Sequence, residues 1–165
     1  KQYQAIVVGI RAYNTQEALA SKQQVLLEYM KLGGNVILQY NTSSPLVTSQ
    51  LGPYPFEIGR DRVAVEGSPV DGDWESSLLS SPNKIKQKDF EGWVQERGLY
   101  FASKVDERYK SPLTLQDPGE TPTKGALITA KVGAGTYVYT GLSFFRQLPA
   151  GVPGAIKLFI NLIEQ

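Results

Sequence analysis

The sequence predicts an α/β domain with a mainly parallel sheet, and three observations support this prediction. Short apolar runs rich in β-branched residues occur at Gln4–Ile10 and Asn35–Tyr40, as in strands that are buried on both faces. An amphipathic stretch lies between these two runs. Tight joints connect the three segments. A strand, a helix and a strand in this order form a βαβ unit, whose strands are expected to be parallel and whose crossover is expected to be right-handed.

The first helix is predicted over Glu17–Leu32. Asn14 or Thr15 can cap its amino end, and the carboxylate of Glu17 suits the first turn because it favours the helix dipole. Apolar residues then fall mainly on one helical stripe. Gly33 follows the last turn, where a glycine commonly ends a helix.

The middle of the chain is less regular. Residues 42–60 contain three prolines and no clear period, which predicts a long loop. Residues 62–66 alternate as in an edge strand, and residues 98–102 indicate another buried strand. A helical turn is expected within residues 89–95, and residues 106–124 are expected to be irregular.

Regular structure is predicted again near the carboxyl terminus. Strands at Ala126–Val132 and Thr136–Thr140 flank Gly133-Ala134-Gly135, which indicates a hairpin. The final helix is expected at Gly154–Ile163, with Pro153 at its first turn. Because no repeat or low-complexity linker divides the chain, residues 1–165 are predicted to form a single domain. The chain starts without Met or a signal-like region, so we interpret it as a segment of a longer protein.

The composition excludes several classes of enzyme and partner. The 165 residues contain no Cys and no His, which removes thiol nucleophiles, Ser-His-Asp triads and the usual zinc sites. We therefore predict no catalytic residue, no metal site and no cofactor. Lys and Arg number 17 against 16 Asp and Glu, and this net charge of +1 argues against a nucleic-acid partner. The apolar runs are far shorter than the roughly 20 residues that cross a bilayer, which argues against a membrane span.

Polar and aromatic residues follow the predicted parallel strands. In open α/β sheets, ligands bind beyond the carboxyl ends of these strands. If the last strand runs parallel to the first two, the candidate ligand-binding residues are Arg11, Asn14, Tyr40, Asn41, Ser143 and Arg146. Their donors and rings suit sugar hydroxyls, amides or an anion. The alternative is that they cap strand ends and bind loops through hydrogen bonds.

Two further patterns in the sequence bear on function. Ser143 lacks the glycine that a nucleophile elbow needs two residues later, and the chain has no His base, so no nucleophile is predicted. Aromatic residues are frequent in or beside the irregular segments. Such rings suit carbohydrate faces, although they more often pin loops onto the core. These residues are Tyr54, Phe56, Trp74, Trp93, Tyr100, Phe144 and Phe145.

Carboxylates leave one enzymatic alternative open. A hydrolase that uses only carboxylates could draw on Asp61, Glu96 or Glu120, although no partner for any of them is identified. The simpler interpretation is local ion pairing of Asp61, which lies between Arg60 and Arg62, and of Glu96, which precedes Arg97.

Several strings resemble a known family: VVGIRAYNT, LGPYPF, RDRV, NKI, DFEGWVQERGLYF, DPGE and TGLSFFRQLPAGVPGA. They resemble the C-terminal region of large bacterial proteins of the PIG-L/LmbE deacetylase family, and the resemblance runs from about Tyr3 to Leu162. That region is similar in turn to the class I glutamine amidotransferase-like fold. The resemblance therefore implies a flavodoxin-like three-layer sandwich with a mainly parallel sheet.

The resemblance also implies a function. The family's zinc-dependent deacetylation of N-acetyl amino sugars belongs to an N-terminal domain with an AHPDD-type motif, and no residue here matches that motif. The amidotransferase-like fold normally carries a Cys-His-Glu triad, which this chain lacks. What is implied is a non-catalytic accessory domain that binds glycan or supports its own N-terminal catalytic domain, in a periplasmic or secreted protein. The alternative is a purely structural interdomain or oligomerisation module.

Overall fold

The computed structural model describes residues 3–165, so the first two residues of the predicted domain lie outside it. The fold is mixed α/β with a mostly parallel central sheet. The strands of the described residues are β1 (Ala5–Val8), β2 (Asn35–Gln39), β3 (Glu57–Ile58), β4 (Arg62–Val63), β5 (Val70–Gly72), β6 (Gly98–Leu99), β7 (Ala102–Ser103), β8 (Leu113–Leu115), β9 (Leu127–Val132) and β10 (Gly135–Thr140).

Helices connect and cover these strands. The α-helices are α1 (Ala12–Thr15), α2 (Gln23–Lys31), α3 (Ser77–Ser80), α4 (Phe144–Gln147) and α5 (Pro153–Ile163). Two 3₁₀ helices span Glu17–Lys22 and Gln87–Phe90. Within residues 3–165, none of the helices combines the length and the apolar character needed to cross a bilayer.

The central sheet has the strand order β1-β2-β10-β9. β1 and β10 both pair in parallel with β2, whereas β9 pairs antiparallel with β10. The prediction that the last strand runs parallel to the first two is therefore confirmed. The predicted hairpin is also confirmed, since Gly135 pairs with Val132 across the turn.

Side chains alternate between two cores on opposite faces of the sheet. Val36 and Leu38 of β2 belong to the cluster that includes Met30 of α2. Ile37, between them, belongs to the cluster that includes Leu158 of α5. This period of two places α2 on one face of the sheet and α5 on the other.

β1 differs from the prediction of a strand buried on both faces over Gln4–Ile10. It covers Ala5–Val8 and pairs only with β2, so it is an edge strand of the described sheet. Val7 is 41% exposed as a result. An apolar run indicates a strand but does not say whether a second neighbour covers its other edge.

The predicted first helix, Glu17–Leu32, is divided in two. A 3₁₀ helix covers Glu17–Lys22, and α2 begins at Gln23. Asn14 and Thr15 do not cap it; they lie inside α1. Asn14 cannot serve as a cap because its side chain is hydrogen-bonded to the loop after β2.

The predicted buried strand at residues 98–102 is two short strands in separate two-stranded sheets. β6 pairs with β4, and β7 pairs with β3. Tyr100 lies between them with a φ of 57°, so the chain turns away from an extended path at this residue. The segment predicted to be irregular, 106–124, contains β8, which pairs with β5.

Candidate functional site

The residues that follow β1, β2 and β10 meet at one edge of the sheet, because these three strands are parallel. We call this region the carboxyl edge; it comprises residues 9–14, 40–44 and 141–146. All six predicted ligand-binding residues belong to it. Their side chains, however, fall into two groups, one directed into the protein and one at the surface.

Asn41 and Ser143 belong to the inward group, and both are fully buried. The Asn41 side-chain oxygen accepts a hydrogen bond from the backbone N–H of Tyr13 at 2.8 Å, and its amide donates to Gln39 O at 2.9 Å. Ser143 Oγ donates to Glu96 O at 2.6 Å. Both side chains thus supply hydrogen bonds that buried backbone groups require, so neither belongs to the proposed site.

Asn14 and Arg11 lie after β1. Asn14 donates to the carbonyls of Thr42 and Pro45 at 3.0 and 2.6 Å and accepts from Thr42 N–H at 2.9 Å, so it fixes the loop after β2. Arg11 is exposed, with a φ of 56°, and its backbone N–H donates to Tyr40 O at 2.8 Å. The Arg11 guanidinium has no hydrogen bond or ion pair with the residues that the structure describes.

The surface group contains three half-buried rings, Tyr40, Tyr100 and Phe145, which we call the aromatic platform. Tyr40 and Tyr100 are stacked, with 6.0 Å between ring centroids and 7° between ring planes. Phe145 lies 5.1 Å from Tyr40. The Arg146 guanidinium is 4.9 Å from the centroid of Phe145 and forms an ion pair with Glu96 at 2.8 Å.

The backbone of Tyr100 is held in the left-handed region that bulky residues rarely adopt. The hydroxyl of Tyr139, a buried residue of β10, donates to Tyr100 O at 2.5 Å. On either side, Leu99 N–H donates to Gly141 O at 2.9 Å and Phe101 N–H donates to Asp61 O at 3.1 Å. Backbone strain of this kind persists only where the surroundings enforce it, and it is frequent at ligand sites.

A cavity of about 400 Å³ opens beside the aromatic platform. We call it the arginine cavity. Its lining residues are Thr42, Ser43, Ser44, Arg60, Arg62, Glu96, Leu99 and Tyr100. It combines one residue of the platform, Tyr100, with hydroxyl-bearing residues of the carboxyl edge and with two arginines.

Charge in the arginine cavity is unbalanced. Its one carboxylate among the lining residues, Glu96, is paired with Arg146 and not with the adjacent Arg97, so that predicted ion pair is wrong. Within residues 3–165, Arg60 and Arg62 form no ion pair, so the predicted local ion pairing of Asp61 is likewise wrong. The cavity therefore presents two guanidinium groups without a bound carboxylate.

A second cavity, of about 300 Å³, shares Arg60 and Arg62 with the first. Asp61 and Glu120 both line it, so two of the three carboxylates considered for a hydrolase share a cavity, while Glu96 lies in the other. The Asp61 carboxylate accepts a hydrogen bond from Thr123 Oγ1 at 3.5 Å. No three His, Cys, Asp or Glu side chains of the described residues gather as metal ligands.

Asp117, near this second cavity, has a structural role. Its carboxylate accepts hydrogen bonds from Ala64 N–H at 2.8 Å, from Val65 N–H at 3.0 Å and from the Ser68 hydroxyl. Burial opposes ionisation, but these hydrogen bonds and the charge of Arg62 hold the pKa of Asp117 below its usual value. Asp117 thus fixes the backbone beside Arg62.

Most of the loop aromatics pin loops onto the core. Phe56, Trp93 and Phe144 are at most 5% exposed. Tyr100 and Phe145, in contrast, form part of the platform at the surface. Arg60 and Arg62 follow none of the three predicted parallel strands, so the sequence pattern did not place them at the carboxyl edge.

Comparison with solved structures identifies similar folds. Cytoplasmic protein STM3548 of Salmonella typhimurium matches with a TM-score of 0.60 and 14% identity over 99% of this chain and 71% of its own. Cytoplasmic protein STM1381 of Salmonella typhimurium LT2 matches with a TM-score of 0.58 and 12% identity over 98% of this chain and 71% of its own. A β-galactosidase of Bacillus circulans sp. alkalophilus matches with a TM-score of 0.52 and 12% identity, over 98% of this chain and 22% of its own.

These structural similarities show the fold of this chain. No protein-family model matches the sequence, and no curated protein is significantly similar to it. The resemblance to PIG-L/LmbE proteins stays a prediction. The periplasmic or secreted location that it implied is wrong on this comparison, because two of the similar structures are named cytoplasmic proteins.

Proposed function

We propose that this chain is a non-catalytic accessory domain that binds saccharide at the carboxyl edge, within a PIG-L/LmbE-like zinc-dependent deacetylase of N-acetyl amino sugars. The observation that carries the proposal is the arginine cavity beside the aromatic platform. It offers a ring face, hydroxyl groups and guanidinium donors within about 400 Å³. The N-terminal catalytic domain of the same protein is the proposed partner.

The chemistry of the cavity suits a sugar. The C–H faces of a pyranose pack on aromatic rings, and sugar hydroxyls exchange hydrogen bonds with short polar side chains. Tyr100 supplies the ring, and its neighbour Tyr40 supports it by stacking. Thr42, Ser43 and Ser44 supply hydroxyl groups from the loop that Asn14 fixes.

We also propose a finer description of the fold, as a flavodoxin-like sandwich of the class I glutamine amidotransferase-like type. Its support is the placement of α2 and α5 on opposite faces of a mostly parallel sheet. An accessory role agrees with the β-galactosidase likeness, in which this fold accounts for 22% of a longer chain. Fold alone does not confer function, so the proposal depends on the carboxyl edge.

Replacing Tyr100 with leucine tests this site. Leucine keeps an apolar side chain but removes the flat ring, so we expect the affinity for the trimer of N-acetylglucosamine to fall about tenfold. Isothermal titration calorimetry measures the change. Tyr3→Leu, which alters an exposed tyrosine before β1, is the control and is expected to leave the affinity unchanged. The proposal fails if the unaltered chain does not bind the trimer, or if Tyr100→Leu binds it equally well.

The alternative, an oligomerisation module, is favoured by the open edge of β1. β1 pairs in parallel with β2, so the backbone N–H and C=O groups of every second residue of β1 point toward β2. The backbone groups of Ala5 and Val7 point the other way, toward the open edge. The strand contains no charge and no proline to discourage pairing. Two copies can meet antiparallel about an axis at Ile6, so that Ala5 of each exchanges two backbone hydrogen bonds with Val7 of the other. A second copy of this chain is therefore the partner that fits.

Replacing Val7 with lysine tests this alternative. A lysine at this position would put a charge in the dimer interface. If the unaltered chain sediments as a dimer, the Val7→Lys variant should therefore sediment as a monomer. Val25→Lys, on the exposed side of α2, is the matched control and should leave the dimer intact. A monomeric unaltered chain would refute the oligomerisation module.

A further inference from the structure

We infer that the arginine cavity selects saccharides that carry an anionic group, a carboxylate or a phosphate ester, with Arg60 and Arg62 as the residues that bind it. This inference rests on the proposed saccharide site and names the chemical class of its ligand. Arg60 and Arg62 were not among the residues selected from the sequence. They enter through the cavity that they line.

The charge of the cavity favours an anionic ligand. Among the lining residues, only Glu96 could neutralise the arginines, and it is already paired with Arg146 at 2.8 Å. Asp61 and Glu120 line the neighbouring cavity together with both arginines, but within residues 3–165 neither carboxylate forms an ion pair with them. Arg62 is influenced by the charge of Asp117, but that carboxylate is bound by backbone amides and by Ser68. Two cations in the cavity therefore lack an ion-pair partner.

The local backbone holds both arginines beside the cavity. Arg62 is the first residue of β4, Arg60 lies two residues before it, and both line the cavity. The segment is held in place because Phe101 N–H donates to Asp61 O at 3.1 Å and Arg97 N–H donates to Val63 O at 3.0 Å. Arg60 and Arg62 thus line the cavity from a segment whose backbone is held by hydrogen bonds.

The chemistry of the guanidinium group also favours an anion. Its planar fork of donors matches the paired oxygens of a carboxylate or phosphate, which a lysine ammonium does not. The adjacent ring of Tyr100 and the hydroxyls of Thr42–Ser44 suit the uncharged part of a sugar. Since both arginines are exposed, the attraction will be screened by salt, so the preference should be largest at low ionic strength.

The experiment compares matched acidic and neutral ligands. Calorimetric titrations at low ionic strength compare trigalacturonate with its methyl ester and glucose 6-phosphate with glucose. We expect the chain to bind at least one acid about tenfold more tightly than its neutral counterpart, and the acid that is preferred identifies the anionic group. In the double variant Arg60→Gln with Arg62→Gln this preference should disappear. Lys88→Gln, an exposed cation elsewhere in the fold, should retain it.

The outcomes separate this inference from the proposed function. If the neutral N-acetylglucosamine trimer binds through Tyr100 but neither acid is preferred, the anionic selection is overturned and the saccharide site stands. A preference for acid that survives in the double variant also overturns it. If no saccharide binds, both are overturned. If acid binding depends on the arginines but not on Tyr100, the anion site stands and the aromatic platform is excluded as a sugar contact.

Discussion

Replacing Gly135 with alanine is expected to lower the free energy of unfolding by about 3 kcal/mol. A Cβ at this position would lie 2.2 Å from Gly34 O and 2.2 Å from Met30 O. Both neighbours are backbone atoms, which cannot rotate away as a side chain can. The steric clash can be relieved only if the end of α2 and the first residues of β10 move apart. Such a movement would strain the hydrogen bond from Thr136 N–H to Gly34 O.

Urea unfolding, followed by fluorescence of Trp74 and Trp93, measures this effect. Gly67→Ala is the matched control, because a Cβ at Gly67 would meet no atom within 4 Å. Its stability should be unchanged or slightly raised, since alanine restricts the unfolded chain more than glycine does. Equal stabilities for Gly135→Ala and Gly67→Ala would contradict the close packing of α2 against the hairpin.

Replacing Asn41 with leucine is expected to lower the free energy of unfolding by about 2 to 3 kcal/mol. Leucine fills a similar volume but leaves the buried N–H of Tyr13 without its acceptor and Gln39 O without a donor. The affinity of the folded protein for the N-acetylglucosamine trimer should change less than about twofold, because Asn41 does not line the arginine cavity.

Gln24→Leu is the control for this amide-to-leucine change. Gln24 is exposed on α2, where its side chain donates to Glu28 at 2.9 Å, so its loss should cost less than about 0.5 kcal/mol. A variant Asn41→Leu with unchanged stability and abolished saccharide binding would reverse our assignment and make Asn41 a ligand contact.

The core of the fold was predictable because its signals are local. The apolar runs at β1 and β2, the helix between them and the glycine-rich turn before β10 each depend on residues close in sequence. Which strands pair with each other depends on residues that are far apart in sequence. The run at β1 gave no indication that its outer edge is open, since that depends on which strand, if any, lies beside it.

The site was predictable only as a region. Strand order placed Arg11, Asn41 and Ser143 at the carboxyl edge, but the sequence pattern does not state which way a side chain points after a strand ends. Asn41 and Ser143 point inward to satisfy backbone groups. Arg60 and Arg62 join the site through the pairing of β4 with β6, more than thirty residues away in sequence, and no local pattern encodes that contact.

Saccharide binding at the carboxyl edge, beside the aromatic platform, is the proposed function of this chain. Its most direct test is a titration of the isotope-labelled chain with the N-acetylglucosamine trimer, followed by backbone amide chemical shifts. We expect saturable shifts concentrated at Tyr40, Thr42–Ser44 and Leu99–Tyr100. An absence of shifts at high ligand concentration, or shifts concentrated along β1, would contradict it.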